Sequence, residues 1–207
     1  MTSSRSKVNV VLLGSGGHSR SVVCLLQACH KDVDGVYDVS YKKGTKELIC
    51  GVPLSGVDPP LEKKIVLAIG DNHKRREAFE KYSNRILQPN VIHPSSLLEK
   101  NSVIGNSNLV FANVLINCET TIGNNNIINS GCIIEHEAQV GDHNHISVGA
   151  ILCGRVKIGS NCFIGAGAVV IDSVKICDNV TVGAGSVVIR DITEAGTYAG
   201  NPARKIK

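Results

Sequence analysis

The 207-residue chain has no tryptophan and only three Phe and four Tyr, so aliphatic side chains must build most of its core. It has no basic run and no interleaving of aromatic with basic residues, and a formal net charge of +4 is too mild to argue for nucleic acid. Long apolar runs are missing too. The N-terminal "VNVVLL" is broken by glycines, too soon for the apolar region of a signal peptide and far too soon for a membrane span. The eight cysteines form no C-x-x-C pair, which together with the missing export signal reads as free, reduced thiols of a cytoplasmic protein. Nucleic-acid binding, membrane insertion, disulfide scaffolds and zinc modules are therefore not expected.

What the chain does have is a repeat. Counting in sixes from Ile104 meets Ile, Val or Leu fifteen times without a slip, through Val110, Ile116, Ile122 and onward to Val188. Four residues after many of these sits a small residue, as at Thr120, Cys132, Ala138, Ala150, Cys162, Ala168 and Ser186. A period of six fits neither 3.6 nor 3.5 and predicts a hexapeptide β-helix. Every third repeat carries a corner sequence, "IGNSN" (104–108), "IGNNN" (122–126), "VGDHN" (140–144), "IGSNC" (158–162) and "ICDNV" (176–180), so eighteen residues make one three-sided coil. A single coil cannot bury its own apolar side chains, and stability must come from stacking. Phe111, Phe163, Ile171 and Ile189 fall on outward phases and predict an exposed apolar stripe that a partner covers.

Residues 7–85 lack the six-period. "VNVVLLGSGGHSRSVVCLLQA" reads as strand, glycine turn and helix, "DGVYDV" and "KIVLAIGDN" as two further strands, and "HKRREAFEKYS" as a helix. That is a small Rossmann-like parallel α/β unit of three strands. Gly14, Gly16 and Gly17 open the first helix, where backbone N–H groups favour a phosphate, and Asp38 closes the second strand where an acid can bind a ribose. With Ser19 at the third glycine position and only three strands, a mononucleotide or sugar phosphate fits better than a dinucleotide. The expected division is an α/β nucleotide-sugar-binding domain over 1–85 and a β-helix domain with a C-terminal tail over 86–207.

Within the monotonous repeat, "IIEHEAQVGDHNHIS" (133–147) concentrates three histidines and three acids. Imidazole titrates near neutrality and suits a general base, and a neighbouring carboxylate can fix its tautomer. His136 and Gly154 differ by eighteen, one coil, and should stack about 4.8 Å apart. A base and a backbone N–H that close can address the same tetrahedral centre. His145 precedes the inward Ile146 and is expected to point outward and be accessible, as is His136 in its corner; His143 is read as a solvated corner residue. The cysteines at inward positions, Cys132 and Cys162, read as packing.

Together "GSGGHSR", "AIGDN", "EHEAQVGDHNHISVGA" and "YAGNPARKI" resemble the sugar acetyltransferases of the sialic-acid O-acetylating NeuD and bacillosamine-pathway PglD type, from Val8 to Ile206. The resemblance implies a left-handed parallel β-helix after the α/β unit, acetyl-CoA as co-substrate, no metal, and a homotrimer with active sites between subunits. It implies an N-acetyltransferase of nucleotide-linked amino sugars (UDP- or GDP-4-amino-deoxy sugars) serving bacterial surface glycans. His136 matches the base, Glu137 its hydrogen-bonded acid, and Gly154 the glycine whose amide meets the acetyl carbonyl. On the substrate side, Gly16, Gly17, His18, Asp38, Asp71, Asn72 and His145 are expected. Along the coenzyme, Gly154, Ala166, Gly167, Ala184, Asn201, Pro202 and Arg204 are expected. The tail "YDVSYKKG" after the second strand lacks the run of aspartates usual in the family.

Three alternatives stay open. The acceptor is a hydroxyl, as on sialic or another nonulosonic acid; the prism is a metal enzyme like the hexapeptide carbonic anhydrases, with His136, His143 and His145 as ligands; or the chain is a sugar-nucleotide scaffold without catalysis. Residue types alone leave Glu135 and Glu137 both eligible to orient the base.

Overall fold

The computed structural model describes residues 9–44 and 46–207, so the part of the N-terminal leader reading that falls on residues 1–8 lies outside the described residues. The chain divides into two compact units, Met1–Leu87 and Gln88–Lys207.

In the first unit the order is β1 (Val10–Leu13), α1 (Gly17–Ala28), β2 (Val33–Tyr37), β3 (Leu48–Ile49), β4 (Val52–Gly56), β5 (Lys64–Leu67) and α2 (Asn72–Lys81). The sheet has five strands in the order β3-β4-β2-β1-β5, parallel except for the β3–β4 hairpin, which corrects the expected three. The missed hairpin turns on Cys50 and Gly51, both with left-handed backbone (φ 48° and 84°), where Asn-Gly would have signalled a turn. Pro53 in β4, a residue type strands seldom hold, further masks it. Val10, Val11, Leu12, Ile65 and Val66 are buried along the central strands, and Val22, Val23, Leu25 and Leu26 of α1 form its buried face. Because the parallel strands run side by side, the C-terminal ends of β1, β2 and β5 lie together, where such sheets bind ligands.

The second unit is a parallel β-solenoid of two- and three-residue strands arranged in three sheets. Register follows the eighteen-residue coil: Ile116 pairs with Ile134, Ile134 with Leu152, and Leu152 with Val170. The six-spaced aliphatics from Val110 to Val188 are all buried in one core, whereas Ile104, near the start of the stack, is half-buried. Parallel strands with both neighbours in place satisfy their backbone groups from coil to coil, so the stack needs only small or aliphatic residues inside. A ladder of buried Asn108, Asn126 and Asn144 was not anticipated among them. The Asn126 N–H donates to Oδ1 of Asn108 (2.8 Å), Asn144 N–H to Oδ1 of Asn126 (2.7 Å) and Cys162 N–H to Oδ1 of Asn144 (2.6 Å). Each buried amide is thereby tied to the next coil, which removes the cost of burying it.

The solenoid closes on an antiparallel hairpin of Gly196–Gly200 and Ala203–Lys205, with Asn201 and Pro202 at its tip. The segment expected as a C-terminal tail thus contributes two paired strands. The outward stripe also differs from expectation. Ile171 and Ile189 are 38% and 39% exposed, but Phe111 is buried and Phe163 half-buried. Apolar exposure is instead continuous on the outer side of the six-stranded sheet, where Leu97, Leu115, Ile133, Ile151, Val169 and Val187 follow one another coil by coil. No described helix is long and apolar enough to cross a membrane.

Candidate active site

One corner of the solenoid, between its six-stranded and five-stranded sheets, carries the titratable cluster. After each inward aliphatic the chain turns through three residues: Glu135-His136-Glu137, then Cys153-Gly154-Arg155, then Ile171-Asp172-Ser173. Coil stacking sets them in columns, with His136, Gly154 and Asp172 in the middle one. A Cβ on Gly154 would lie 2.6 Å from Cε1 and 2.7 Å from Nε2 of His136, and 3.0 Å from Oδ1 of Asp172. The glycine therefore leaves open the space against which the imidazole Nε2 edge rests. Its N–H donates to no group among the described residues, while the neighbouring amides of Cys153 and Arg155 bond to Val170 and His136 carbonyls.

On the other side of the ring, His136 Nδ1 lies 3.2 Å from Oε2 of Glu137. Glu135 turns away, accepting from Nδ2 of Asn117 one coil earlier (2.7 Å). The difference comes from backbone conformation, because Glu137 sits at the left-handed corner position (φ 59°) and its side chain folds back beside the ring. A carboxylate on Nδ1 holds the proton there and leaves Nε2 as the acceptor, so the free nitrogen faces Gly154. Both side chains are about half exposed (42% and 49%), so a substrate reaches them.

Arg155 and Asp172 were not singled out in the sequence, although adding eighteen to Glu137 and to Gly154 arrives at them. Arg155 Nη2 donates to both carboxylate oxygens of Asp172 (2.7 and 2.9 Å), its Nε reaches Oγ of Ser173 (3.2 Å), and its Nη1 lies 3.8 Å from Oε2 of Glu137. Hydrogen bonds from Ser173 and Arg155 hold the Asp172 carboxyl below its usual range. Beside the site, burial together with the Asp172 and Glu135 charges raises the Cys153 thiol, and burial pushes Cys132 up to about 12 and Cys162 to about 11. Thiols so disposed are poor nucleophiles.

His145 does not join this corner. Its side chain points outward as its phase requires, but only 8% is exposed: it packs edge-on to Phe163 (5.1 Å) and its Nε2 lies 3.3 Å from Nδ2 of Asn129. The expectation of an accessible His145 is corrected, because the outer side of the eight-stranded sheet is buried around it, with Leu109 and Ile127 alongside. His143 is half-buried, its Nδ1 2.8 Å from Nδ2 of Asn125. Among the described residues no group of three or more His, Cys, Asp or Glu side chains is disposed to hold a metal ion. Ala166 and Ala184 stack one coil apart at a different corner of the solenoid, exposed, with Gly167 in the left-handed conformation (φ 65°). Arg204, with Arg190, Tyr198 and Lys205, lines a cavity of about 140 Å³ at the C-terminal end; Asn201 and Pro202 do not.

In the first unit a cavity of about 510 Å³ opens at the C-terminal strand ends, lined by Gly14, Asp38, Asp58, Lys74, Lys81 and Tyr82, among others. Gly16 is the N-cap of α1 and Gly17 its first residue, and a Cβ on either would meet nothing within 4 Å, so the helix start is open. Asp38 accepts from the Ser15 N–H (2.7 Å) and from the Ser40 N–H and hydroxyl (2.8 and 2.7 Å). Burial works to raise its carboxyl, yet these bonds hold it below the usual range, and they pin the glycine turn to the end of β2. Asp71 caps α2 by accepting from Lys74 N–H (2.9 Å), and Asn72 is buried, its Oδ1 bonded to Nη2 of the buried Arg75 (2.9 Å). Both therefore have structural partners, and neither lines the cavity. Burial, with the Arg75 charge beside it, pushes His18 down to about 4, so it is neutral at pH 7.

A structure of PerB, the GDP-perosamine N-acetyltransferase of Caulobacter crescentus, with CoA and GDP-perosamine bound, is 33% identical over 96% of this chain and 97% of its own, with a TM-score of 0.88. The chain belongs to the PglD/NeuD-type sugar acetyltransferases. Two family profiles agree with this placement, the PglD N-terminal domain over residues 9–82 and the bacterial transferase hexapeptide over 137–172 and 155–190. The acetyltransferase domain of PglB from Neisseria gonorrhoeae, solved with acetyl coenzyme A, is 28% identical over 97% of this chain and all of that one (100%), with a TM-score of 0.87. WeeI from Acinetobacter baumannii shares the fold at 19% identity (TM-score 0.76) over 96% of this chain and 100% of its own. No curated protein sequence matches the chain. The PerB structure holds CoA and the PglB domain acetyl coenzyme A.

Proposed function

We propose that the acetyltransferase moves the acetyl group of acetyl-CoA onto the amine of a nucleotide-linked 4-amino sugar, with His136 as general base. The observation that carries this reading is the corner itself: an accessible imidazole whose Nδ1 contacts Glu137 and whose Nε2 edge rests against the open space over Gly154. The neutral amine attacks the thioester carbonyl as Nε2 takes its proton, and the tetrahedral oxyanion is met by the Gly154 N–H. Collapse breaks the C–S bond, and the imidazolium returns the proton to the departing thiolate. Glu137 holds the tautomer and stabilises the imidazolium. Direct transfer needs no second nucleophile, in keeping with the raised thiols of Cys153, Cys132 and Cys162.

The acceptor's nucleotide is assigned to the first unit, with a phosphate at the open α1 N-terminus of Gly16 and Gly17, His18 beside it, and the base in the cavity bordered by Asp38. PerB binds GDP-perosamine and supports a nucleotide amino sugar as the class. The stripes at Ala166, Gly167 and Ala184 and the C-terminal hairpin with Asn201, Pro202 and Arg204 are assigned to coenzyme A. The apolar outer side of the six-stranded sheet, from Leu97 to Val187, is assigned to packing between copies in a homotrimer, and the enzyme to the cytoplasm.

The test is coenzyme A release from acetyl-CoA with GDP- and UDP-linked 4-amino sugars and free sialic acids, beside His136→Ala. Release with one amino sugar and loss of at least about a hundredfold in the variant is expected. Release only with the nonulosonic acid moves the chemistry to a hydroxyl and keeps the base. Turnover that survives the substitution overturns the assignment of His136.

A further inference from the structure

The base and its carboxylate do not stand alone at their corner. The last residue of the turn adopts left-handed backbone in five successive coils, at Asn101, Glu119, Glu137, Arg155 and Ser173 (φ 59° to 65°). At most other corners that position is Asn or Gly, as in Asn125, Asn161 and Asn179 or Gly131, Gly149 and Gly167, which bear the conformation at little cost. A long charged side chain there costs about 1 kcal/mol of backbone strain and persists where something else over-determines it. Arg155 is the one cation in this column, and its guanidinium is the most fully engaged group of the cluster.

Its three nitrogens reach the coils on both sides of its own. Nη1 faces Oε2 of Glu137 at 3.8 Å, the same oxygen that contacts His136 Nδ1 at 3.2 Å, while Nη2 and Nε are held from above by Asp172 and Ser173. Ser173 Oγ donates to Asp172 in turn (2.9 Å), so the anchoring carboxylate is itself fixed. Contacts from Nη2 to both Asp172 oxygens and from Nε to Ser173 restrict the guanidinium. The backbone reinforces this, because Arg155 N–H donates to the carbonyl of His136 (2.9 Å). The remaining acids at this corner do not compete for it: Glu135 is bonded to Asn117, and Glu119 lies two coils away in the same column.

We infer that Arg155, braced by Asp172, is a positioning residue for the acetyl transfer: it holds the Glu137 carboxylate against Nδ1 of His136 and thereby keeps Nε2 aimed over Gly154. The inference rests on the assignment of His136 as base and extends it by a group that does not touch the reacting atoms. Without Arg155, Glu137 is one half-exposed carboxylate with a single contact 3.2 Å long, free to rotate into solvent. Misplacing a general base by about 1 Å is enough to slow a reaction by about a hundredfold, and a loosened partner costs part of that.

The experiment measures kcat and KM for acetyl-CoA and for a GDP-linked 4-amino sugar in wild type, His136→Ala, Arg155→Ala, Arg155→Lys, Glu137→Ala and the Arg155→Ala/Glu137→Ala pair, with a thermal melt of each. Arg155 is half exposed, and its truncation leaves the melt nearly unchanged. Arg155→Ala lowers kcat by about tenfold with both KM values within about twofold, and Arg155→Lys recovers part of the loss. In the Glu137→Ala background the same truncation changes kcat by less than about twofold, because the group it positions is gone. An undiminished kcat in Arg155→Ala, a loss that persists in the Glu137→Ala background, or a loss carried by KM overturns the positioning role. Retained turnover in His136→Ala brings down the base and the positioning role together, which separates that failure from the others.

Discussion

Gly154→Ala separates catalysis from folding more cleanly than any change to the histidine. The added Cβ would lie 2.6 and 2.7 Å from Cε1 and Nε2 of His136, where carbon contacts ordinarily settle at about 3.5 Å or more. The backbone of neighbouring coils is bonded in register and cannot give, so the ring must move by about 1 Å or rotate into solvent. A displacement of that size costs about 10²-fold in rate. Stability moves the other way. Gly154 does not use the left-handed region, so alanine fits its backbone and lowers the entropy of the unfolded chain, worth about 0.4–1 kcal/mol. The expected variant melts no lower than wild type, binds acetyl-CoA in a calorimeter, and turns over about a hundredfold more slowly. Full activity would refute the placement of Nε2 over this glycine. A collapse of the melt would show the corner to be structural rather than catalytic.

Three further outcomes follow from the geometry. His18 has a folded pKa of about 4 against an unfolded value near 6.5, so its contribution to stability is complete above pH 6.5 and lost as pH falls toward 4, by up to about 3 kcal/mol. His18→Gln should flatten that part of a urea-midpoint-against-pH curve, and an unaltered curve would deny that His18 is buried neutral. Asn126→Ala takes the acceptor from the buried Asn144 N–H and should cost about 2–3 kcal/mol in denaturant unfolding; a change below about 0.5 kcal/mol would mean the ladder is dispensable. Ile151→Glu, at the centre of the apolar outer stripe, should dissociate a trimer in sedimentation while each chain keeps its circular dichroism, and an unchanged mass would place the interface elsewhere.

Much of the solenoid was legible because its rule is local and repeated. An aliphatic every sixth residue and a corner every eighteenth define the cross-section of a coil, and the stacking of His136 beneath Gly154 follows from counting. The α/β unit was legible at its strand–glycine–helix opening and at the Asp71-capped α2, but not at β3 and β4. There a Cys-Gly turn and a proline inside β4 hide a hairpin whose partner, β2, lies more than ten residues earlier. Asp38 reads as a ribose acid from its place at the end of β2; that its carboxylate also braces the Ser15 turn, a contact across twenty-three residues, no local pattern announces.

Periodicity and coil length were therefore settled by the order of residues alone: which side chains point in, which corners align, and that a histidine and a glycine meet. Tertiary structure decided what sequence leaves degenerate. Glu135 and Glu137 flank the same histidine, and the left-handed backbone at 137 turns only the second onto the ring, while Asn117 from the coil below takes the first. Alternation sends the His145 side chain outward, but whether outward means solvent depends on what packs there, and Phe163 and Asn129 enclose it. The bracing of Glu137 by Arg155 and Asp172 has the same origin. Periodicity sets directions one residue at a time, whereas burial and ion pairing are properties of neighbours that only stacking brings together.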